Sequence, residues 1–141
     1  MADSVLLETA SMLGLKGVKT QLDLLPLIRR GLPYASLERL SRHMELTPLA
    51  MGSELGLAKR TVTRRANEKR LSSSESERLV RLTRVLAEAK RVFGSEEKAR
   101  RWIRKPSRAL AGAVPLGLLD TDIGANAVFE EMGRIEHGVF V

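Results

Sequence analysis

The sequence predicts an all-α protein built from two helical modules, and three observations favour this class. Apolar residues recur at spacings of three and four along most of the chain, which is the period of an amphipathic helix. Capping residues or prolines precede several of these runs, and glycines follow them. The alternation typical of β-strands is missing, apart from the closing "HGVFV". With 141 residues, 43% of them hydrophobic, the chain suffices for one domain or two small modules that share a core.

Three helical segments are predicted before residue 47. The first opens with an Asp-Ser pair suited to capping, and Gly14 and Gly17 mark its end. The second is a short apolar helix or turn that Pro26 interrupts and Gly31 stops. The third places two leucines and a methionine at spacings of three and four, on one face of a helix. The three segments are 3–13, 21–31 and 34–46.

The stretch "LAMGSELGLAKRTVTRRANEKR" has the spacing of a helix-turn-helix, and a Thr-Pro pair suited to helix initiation precedes it. Such a motif needs a small residue midway along its first helix, a glycine in the turn and then an apolar residue. Gly52, Gly56 and Leu57 supply these in order. Val62 then falls where the second helix presses on the first, and Ala66 lies one turn further along the same face.

The outer face of this second helix predicts DNA binding. Residues 59–70 hold six Lys or Arg against one Glu, and a recognition helix presents such side chains to base edges and phosphates. A solvated basic helix in an ordinary bundle is the alternative, and the turn spacing weighs against it. Ala58 is a weaker cap than Ser or Thr, and Arg65 replaces a common aliphatic residue, so we expect it to lie over the core with its head at a phosphate. The predicted DNA contacts are Lys59, Arg60, Thr63, Arg64, Arg65 and Lys69.

Three further helices are predicted after residue 70. The first is long, has several serines as candidate caps and closes at Gly94. The second is capped by Ser95, ends at Pro106 and carries Trp102, for which we expect core packing ahead of partner contact. The third lies near 126–135, after a Gly/Pro-rich apolar stretch and a turn-prone Asp-Thr-Asp in which the Thr or the second Asp can cap it.

Charge is divided unevenly along the chain. Residues 1–105 hold 22 of the 24 Lys and Arg against 12 acids, whereas residues 106–141 hold two against five. This asymmetry suggests a polyanionic partner for the first part and a different partner for the second. Solvated surface charge is the alternative. The domain boundary is expected earlier, where the long helix of residues 75–93 begins: a helix-turn-helix DNA-binding domain at 1–74 and a second domain at 75–141.

The C-terminal part resembles a known family. It contains "W-I-x-x-P-x-x-A-L", "P-L-x-L-L-x-T" and "R-I-E-x-G-V" within residues 102–139, and "KRTVTRR" and "SSSESERLVRLTRVLAEAKRVFG" stand upstream. Together these stretches resemble the MbcA/ParS/Xre antitoxins, over roughly residues 31–141 and most specifically in the C-terminal half. The closing Phe140-Val141 departs from the family, which commonly ends on a small or polar residue after an aromatic one.

The resemblance implies two partners. By this likeness, the N-terminal module binds operator DNA, and a small helical C-terminal module dimerises and binds a RES-domain toxin, an enzyme that consumes NAD. Such antitoxins cover the active site of the toxin, and the complex represses its own operon. The predicted toxin contacts are Leu116, Leu119, Arg134, Ile135, Glu136, Val139, Phe140 and Val141. The last three are expected to anchor a terminal hook, and the alternative is that Phe140 packs on the chain's own helices.

The sequence predicts neither catalysis nor a cofactor. His43 and His137 lack metal-ligand spacing, and there is no Gly-x-Ser-x-Gly elbow or Walker-type loop. The absence of cysteine excludes disulfides and cysteine-ligated zinc. We therefore expect a protein that is not an enzyme and holds no metal.

The expected location is the bacterial cytoplasm. No signal peptide is visible, and the longest uncharged run has 11 residues, whereas a membrane span needs about 20. We expect a soluble homodimer without membrane contact. The competing functions are a stand-alone dimeric helix-turn-helix repressor and, more weakly, a nucleoid protein that binds DNA without sequence preference.

Overall fold

The computed structural model describes residues 3–138, and within this range the regular structure consists of helices, with no strand. The predicted all-α class is confirmed. The α-helices are α1 (Asp3–Leu13), α2 (Gln21–Arg30), α3 (Tyr34–His43), α4 (Pro48–Glu54), α5 (Lys59–Glu68), α6 (Ser73–Phe93), α7 (Glu96–Ile103) and α8 (Asp122–Glu136). Two short 3₁₀ helices, Arg108–Leu110 and Pro115–Leu118, lie between α7 and α8.

The chain divides into two compact units, and the division falls between Thr83 and Arg84, within α6. The sequence placed the division earlier, between residues 74 and 75, where α6 begins. None of the helices in the described range is long and apolar enough to cross a membrane.

The N-terminal unit has a core of Leu and Met side chains. α1 packs against α3, α3 against α4 and α4 against α5. Leu37, Leu40 and Met44 are fully buried, as the spacing on α3 predicted. The buried hydroxyl of Ser36 donates a hydrogen bond of 2.7 Å to the carbonyl oxygen of Leu13, where α1 ends, so a polar contact also joins α1 to α3.

Two helix boundaries differ from the sequence predictions. α2 runs through Pro26 without a break, although a proline inside a helix removes one backbone donor. Leu22, whose carbonyl would have accepted that hydrogen bond, is 75% exposed, so water can take the place of the missing donor. α8 begins at Asp122, four residues before the predicted start near Asn126, because the Thr121 hydroxyl accepts a hydrogen bond from the Gly124 N–H at 3.0 Å.

Two predicted caps are confirmed. The Thr47 hydroxyl accepts a hydrogen bond of 3.1 Å from the Ala50 N–H, with Pro48 as the first residue of α4. Ser95 does the same for the Lys98 N–H at the start of α7. Both hydroxyls satisfy backbone donors that a helix start leaves unpaired.

The C-terminal unit packs α8 against both 3₁₀ helices, and α7 against the second of them. Ile103, Val128 and Met132 are fully buried in it. The rings of Phe93 and Trp102 lie 5.2 Å apart between centroids, tilted by 39°, which is an ordinary packing geometry for two aromatic rings. The contact gives Trp102 the packing role expected from the sequence.

Candidate nucleic-acid interface and C-terminal partner surface

The turn between α4 and α5 has the geometry that the sequence spacing predicts. Gly52 is buried, and a Cβ atom at this position would collide with Cγ2 of Val62, which is itself buried. Gly56 has a φ of +79°, the left-handed conformation that glycine tolerates best. The Leu57 N–H then donates to the Gly52 carbonyl at 2.9 Å, which closes the turn. The two helices therefore cross closely, as in a helix-turn-helix.

The outer face of α5 carries cations that the rest of the described chain does not neutralise. The side chains of Lys59, Arg60 and Arg64 are exposed, and none of the hydrogen bonds or ion pairs within residues 3–138 engages them. Thr63 is exposed beside them, and Lys69 follows at the end of the helix. The structure thus brings five of the six predicted DNA contacts to one open helical surface and its C-terminal end.

Arg65 differs from these five residues, because acidic side chains of the same unit hold its guanidinium. Its Nε and Nη2 donate to the two carboxylate oxygens of Glu75 at 2.8 and 3.0 Å, and its Nη1 donates to Glu68 at 3.0 Å. The Glu75 side chain is only 8% exposed, so this two-pronged ion pair is largely shielded from water. The predicted contact of Arg65 with a phosphate stays a prediction, and its observed contacts fasten α5 to the start of α6.

Glu75, which sequence reasoning missed, binds Arg65 of α5 and also caps the start of α6. Its carboxylate accepts a hydrogen bond of 2.8 Å from the Ser72 N–H, and the Ser72 hydroxyl accepts one of 3.2 Å from the Glu75 N–H. This is a capping box, and the signal for it is the Ser-x-x-Glu spacing. Burial raises the pKa of Glu75, but the hydrogen bonds from Arg65 and from the Ser72 N–H outweigh burial and lower the pKa below its ordinary value of 4.5.

The predicted toxin contacts of the C-terminal unit lie in different environments. Leu119 is buried, whereas Leu116 and Ile135 are half-buried. The Nε of Arg134 donates to Glu131 at 2.8 Å within α8. Val139, Phe140 and Val141, the expected anchors of the terminal hook, lie outside the described residues.

Glu136 forms a two-pronged ion pair with Arg91 of α6. The two nitrogens Nη1 and Nη2 of Arg91 donate to the carboxylate oxygens at 2.6 and 2.9 Å. The hydrogen bonds from Arg91 lower the pKa of Glu136, and those to Glu136 and Glu88 raise the pKa of Arg91. The pair fastens the last turn of α8 to α6, directly before the segment that the sequence predicts to be a hook.

Fold and surface together define a helix-turn-helix DNA-binding protein with a second, helical module. Residues 23–84 match the model of the antitoxin Xre-like helix-turn-helix domain. Residues 88–138 match the model of the antitoxin Xre/MbcA/ParS C-terminal toxin-binding domain. The C-terminal match includes the predicted toxin contacts Leu116, Leu119, Arg134, Ile135 and Glu136.

Curated relatives show the same family. An antitoxin Xre of Photorhabdus laumondii is 31% identical over 115 residues, which cover 80% of this chain and 78% of the relative. An antitoxin Xre of Yersinia enterocolitica is 40% identical over 87 residues, covering 60% and 59%. A Sphingobium protein named Prs ADP-ribosylating antitoxin is 28% identical over 128 residues, covering 84% and 80%.

The chain therefore belongs to the Xre antitoxin family, and the resemblance seen in the sequence is confirmed. Members of the family bind a toxin, and this chain carries both a DNA-binding and a toxin-binding domain. Neither matching domain model describes an enzyme.

Proposed function

We propose that this chain neutralises a RES-domain toxin that consumes NAD, by covering its active site, and that it represses its own operon by binding operator DNA. The match of residues 88–138 to a toxin-binding domain, beside a helix-turn-helix with open cations, is the observation that supports both activities. In this proposal the chain is itself not an enzyme and needs no cofactor. Both partners would be met in the bacterial cytoplasm.

Repression would rest on the open face of α5. Lys59, Arg60, Thr63 and Arg64 would contact base edges and phosphates, and their exposure on α5 supports this. The unneutralised cations would make binding steeply dependent on salt. We propose a homodimer, because two copies of one recognition helix would read a palindromic operator. Its half-sites would lie about one helical turn apart, or a multiple of that distance.

Neutralisation would rest on the C-terminal unit and its terminal hook. Leu116 and Ile135 would contribute apolar contacts, which the buried Leu119 would support from below. Arg134 and Glu136 would act through the ion pairs that position α8, and Val139–Val141 would supply the apolar anchors. The name of the Sphingobium relative refers to ADP-ribosylation. ADP-ribose is the group that enzymes acting on NAD release or transfer, so the name agrees with an NAD-consuming partner.

The test compares the full chain with a chain that ends at Gly138. This cut removes only Val139–Val141 and keeps the pair between Arg91 and Glu136, whereas a cut at Gly133 would remove the last turn of α8. The product of the gene next to that of this chain is purified, and its consumption of NAD is measured with and without each chain. Binding of each chain to its own promoter is measured in parallel by gel shift.

The proposal predicts that the full chain abolishes NAD consumption, that the shortened chain inhibits much less, and that both bind the promoter equally. A partner that consumes no NAD would refute the assignment to a RES-domain toxin. Equal inhibition by both chains would refute the terminal hook. If neither chain binds the neighbouring product while both bind the promoter, the competing function of a stand-alone repressor replaces the proposal.

A further inference from the structure

A second group of cations lies beyond the recognition helix, at the junction of two segments far apart in sequence. The end of α2 runs beside the loop that follows α5. The Leu71 N–H donates to the Leu32 carbonyl at 2.9 Å, and the Tyr34 N–H donates to the Lys69 carbonyl at 3.1 Å. These bonds bring Arg29 and Arg30, in the last turn of α2, next to Lys69 and Arg70. We call Arg29, Arg30, Lys69 and Arg70 the flanking cation cluster.

Arg70 is held in place without losing its charge. Its Nη1 donates to the carbonyl oxygen of Gly31 at 2.8 Å and to that of Arg30 at 3.4 Å. Carbonyl groups satisfy the donors but do not neutralise a guanidinium. A Cβ atom at Gly31, where φ is +91°, would collide with the carbonyl oxygen of Leu71, so the two segments approach too closely for a side chain there. The cluster is therefore built into the fold.

The nearby acids compensate these charges only in part. Glu68 and Glu75 share the single cation Arg65, so these three side chains keep one net negative charge against the four positive charges of the cluster. Asp23 accepts hydrogen bonds from the N–H groups of Lys19 and Thr20. All four side chains of the cluster are exposed, and the described part of the chain gives none of them an ion pair. The cluster keeps its four positive charges open to solvent.

We propose that the flanking cation cluster binds the phosphate backbone of the DNA beside the base pairs that α5 reads. The inference rests on the proposed operator binding. A helix of ten residues is about 15 Å long, so the two ends of α5 reach different parts of the DNA. If α5 enters the major groove with its N-terminal residues at the bases, its C-terminal end lies nearer the sugar-phosphate strands at the edge of the groove. The flanking cation cluster lies at this end of α5.

Phosphate contacts predict a distinctive result, because they position a protein without reading sequence. The test replaces Arg29 and Arg30 together with alanine, since neither side chain makes a hydrogen bond within the described residues. Binding is measured at several salt concentrations, on a promoter duplex and on a random duplex of equal length. Lys105→Ala, which removes one exposed cation of the C-terminal unit, is the control for a charge lost away from the cluster, and thermal unfolding checks the fold of both variants.

The double variant should weaken binding to both duplexes by a similar factor. It should also lower the slope of log affinity against log salt by about 2, which is about 1 for each phosphate that the variant no longer neutralises. Affinities and slopes equal to those of Lys105→Ala would overturn the proposal. A weakening confined to the promoter, with an unchanged slope, would also overturn it, because it would assign the arginines to base reading.

The two duplexes separate failure of the cluster from failure of the proposed function. If the parent protein shows no preference for the promoter, operator repression fails, yet the salt slope on the random duplex still tests the cluster. If the parent prefers the promoter and the variant matches the control, the cluster alone fails.

Discussion

The proposed recognition helix α5 and the last helix α8 both display charged residues predicted to contact a partner, but those charges are open on α5 and paired on α8. On α5, Lys59, Arg60 and Arg64 are exposed and have no partner within the described residues. On α8, Arg134 binds Glu131, and Glu136 binds Arg91. A pattern of charged residues in a sequence does not show whether the charges are unpaired or held in ion pairs. The contacts in the structure show it.

The difference follows from what each surface has to bind. A polyanion is attracted by charges that remain unneutralised, and the strength of that attraction depends on salt. Paired charges instead fix the position of a helix, and their energetic contribution at an exposed surface is small. The comparison thus predicts that single changes on α5 alter binding directly, whereas changes on α8 alter binding through geometry.

The largest effect should come from a glycine of the C-terminal unit. A Cβ atom at Gly124 would collide with the backbone carbonyl of Leu118, which cannot move without displacing the second 3₁₀ helix. Gly124→Ala should lower the free energy of unfolding by about 3 kcal/mol, as measured by urea denaturation, and weaken inhibition of the toxin.

Gly52→Ala is the matched variant in the N-terminal unit. Its new Cβ atom would collide with Cγ2 of Val62, a stiff and buried side chain rather than backbone, so a somewhat smaller decrease of about 2 kcal/mol is expected, together with weaker promoter binding. Promoter binding that is abolished in Gly124→Ala but kept in Gly52→Ala would contradict the assignment of DNA binding to the N-terminal unit and toxin binding to the C-terminal unit.

Arg64→Ala should have the next largest effect, on binding rather than stability. Arg64 is exposed on α5, so its removal should cost about 2 kcal/mol of operator affinity and leave toxin neutralisation and the thermal midpoint unchanged. Gel-shift titration measures the affinity, with Lys105→Ala as control. A titration curve that overlays that of the parent would show that α5 is not the recognition helix.

Much of the N-terminal site was predictable from the sequence, because the geometry of a helix-turn-helix depends on the spacing of residues close together in the chain. Gly52, Gly56 and Val62 occupy positions that any chain with this turn must fill with such residues. The fate of Arg65 was not predictable, since its partner Glu75 comes from a different helix and burial decides the pairing. The continuous α2 was also missed, because solvation of the Leu22 carbonyl, four residues before Pro26, cannot be read from periodicity.

The ion pair of Arg65 and Glu75 predicts a pH dependence within the N-terminal unit. The pKa of Glu75 is lower in the folded chain than its ordinary value of 4.5, so the pair stabilises the fold above pH 4.5. This contribution is lost as the pH falls through the lower, folded pKa. Glu75→Gln should be less stable than the parent at pH 7, by about 1 to 2 kcal/mol in urea denaturation.

The difference between Glu75→Gln and the parent should shrink on acidification, because the parent carboxylate then becomes protonated. Glu77→Gln is the control, since Glu77 is exposed and its ion pair with Arg81 is long, at 3.6 Å. A stability difference between parent and Glu75→Gln that is the same at pH 7 and in acid would refute this role of the carboxylate charge.

The smallest effect on stability, but a clear effect on neutralisation, is expected at the pair of Arg91 and Glu136. Both side chains are substantially exposed, so breaking the pair should hardly change the thermal midpoint. If the pair sets the direction in which the C-terminal segment leaves α8, Arg91→Glu and Glu136→Arg should each weaken inhibition of the toxin several-fold. The doubly exchanged variant should recover inhibition in part. The two-pronged contact can form in reverse, but Glu88, which also binds Arg91 at 2.6 Å, would then face a like charge.

The exposed pair of Arg101 and Glu97 on α7 provides the control for this exchange. Reversing it should leave inhibition unchanged, since it lies within one helix and fastens α7 to no other element. Inhibition that stays low in the Arg91 and Glu136 double variant would mean that one of these side chains contacts the toxin directly. In that case α8 would resemble α5, with its charge used for recognition rather than for position.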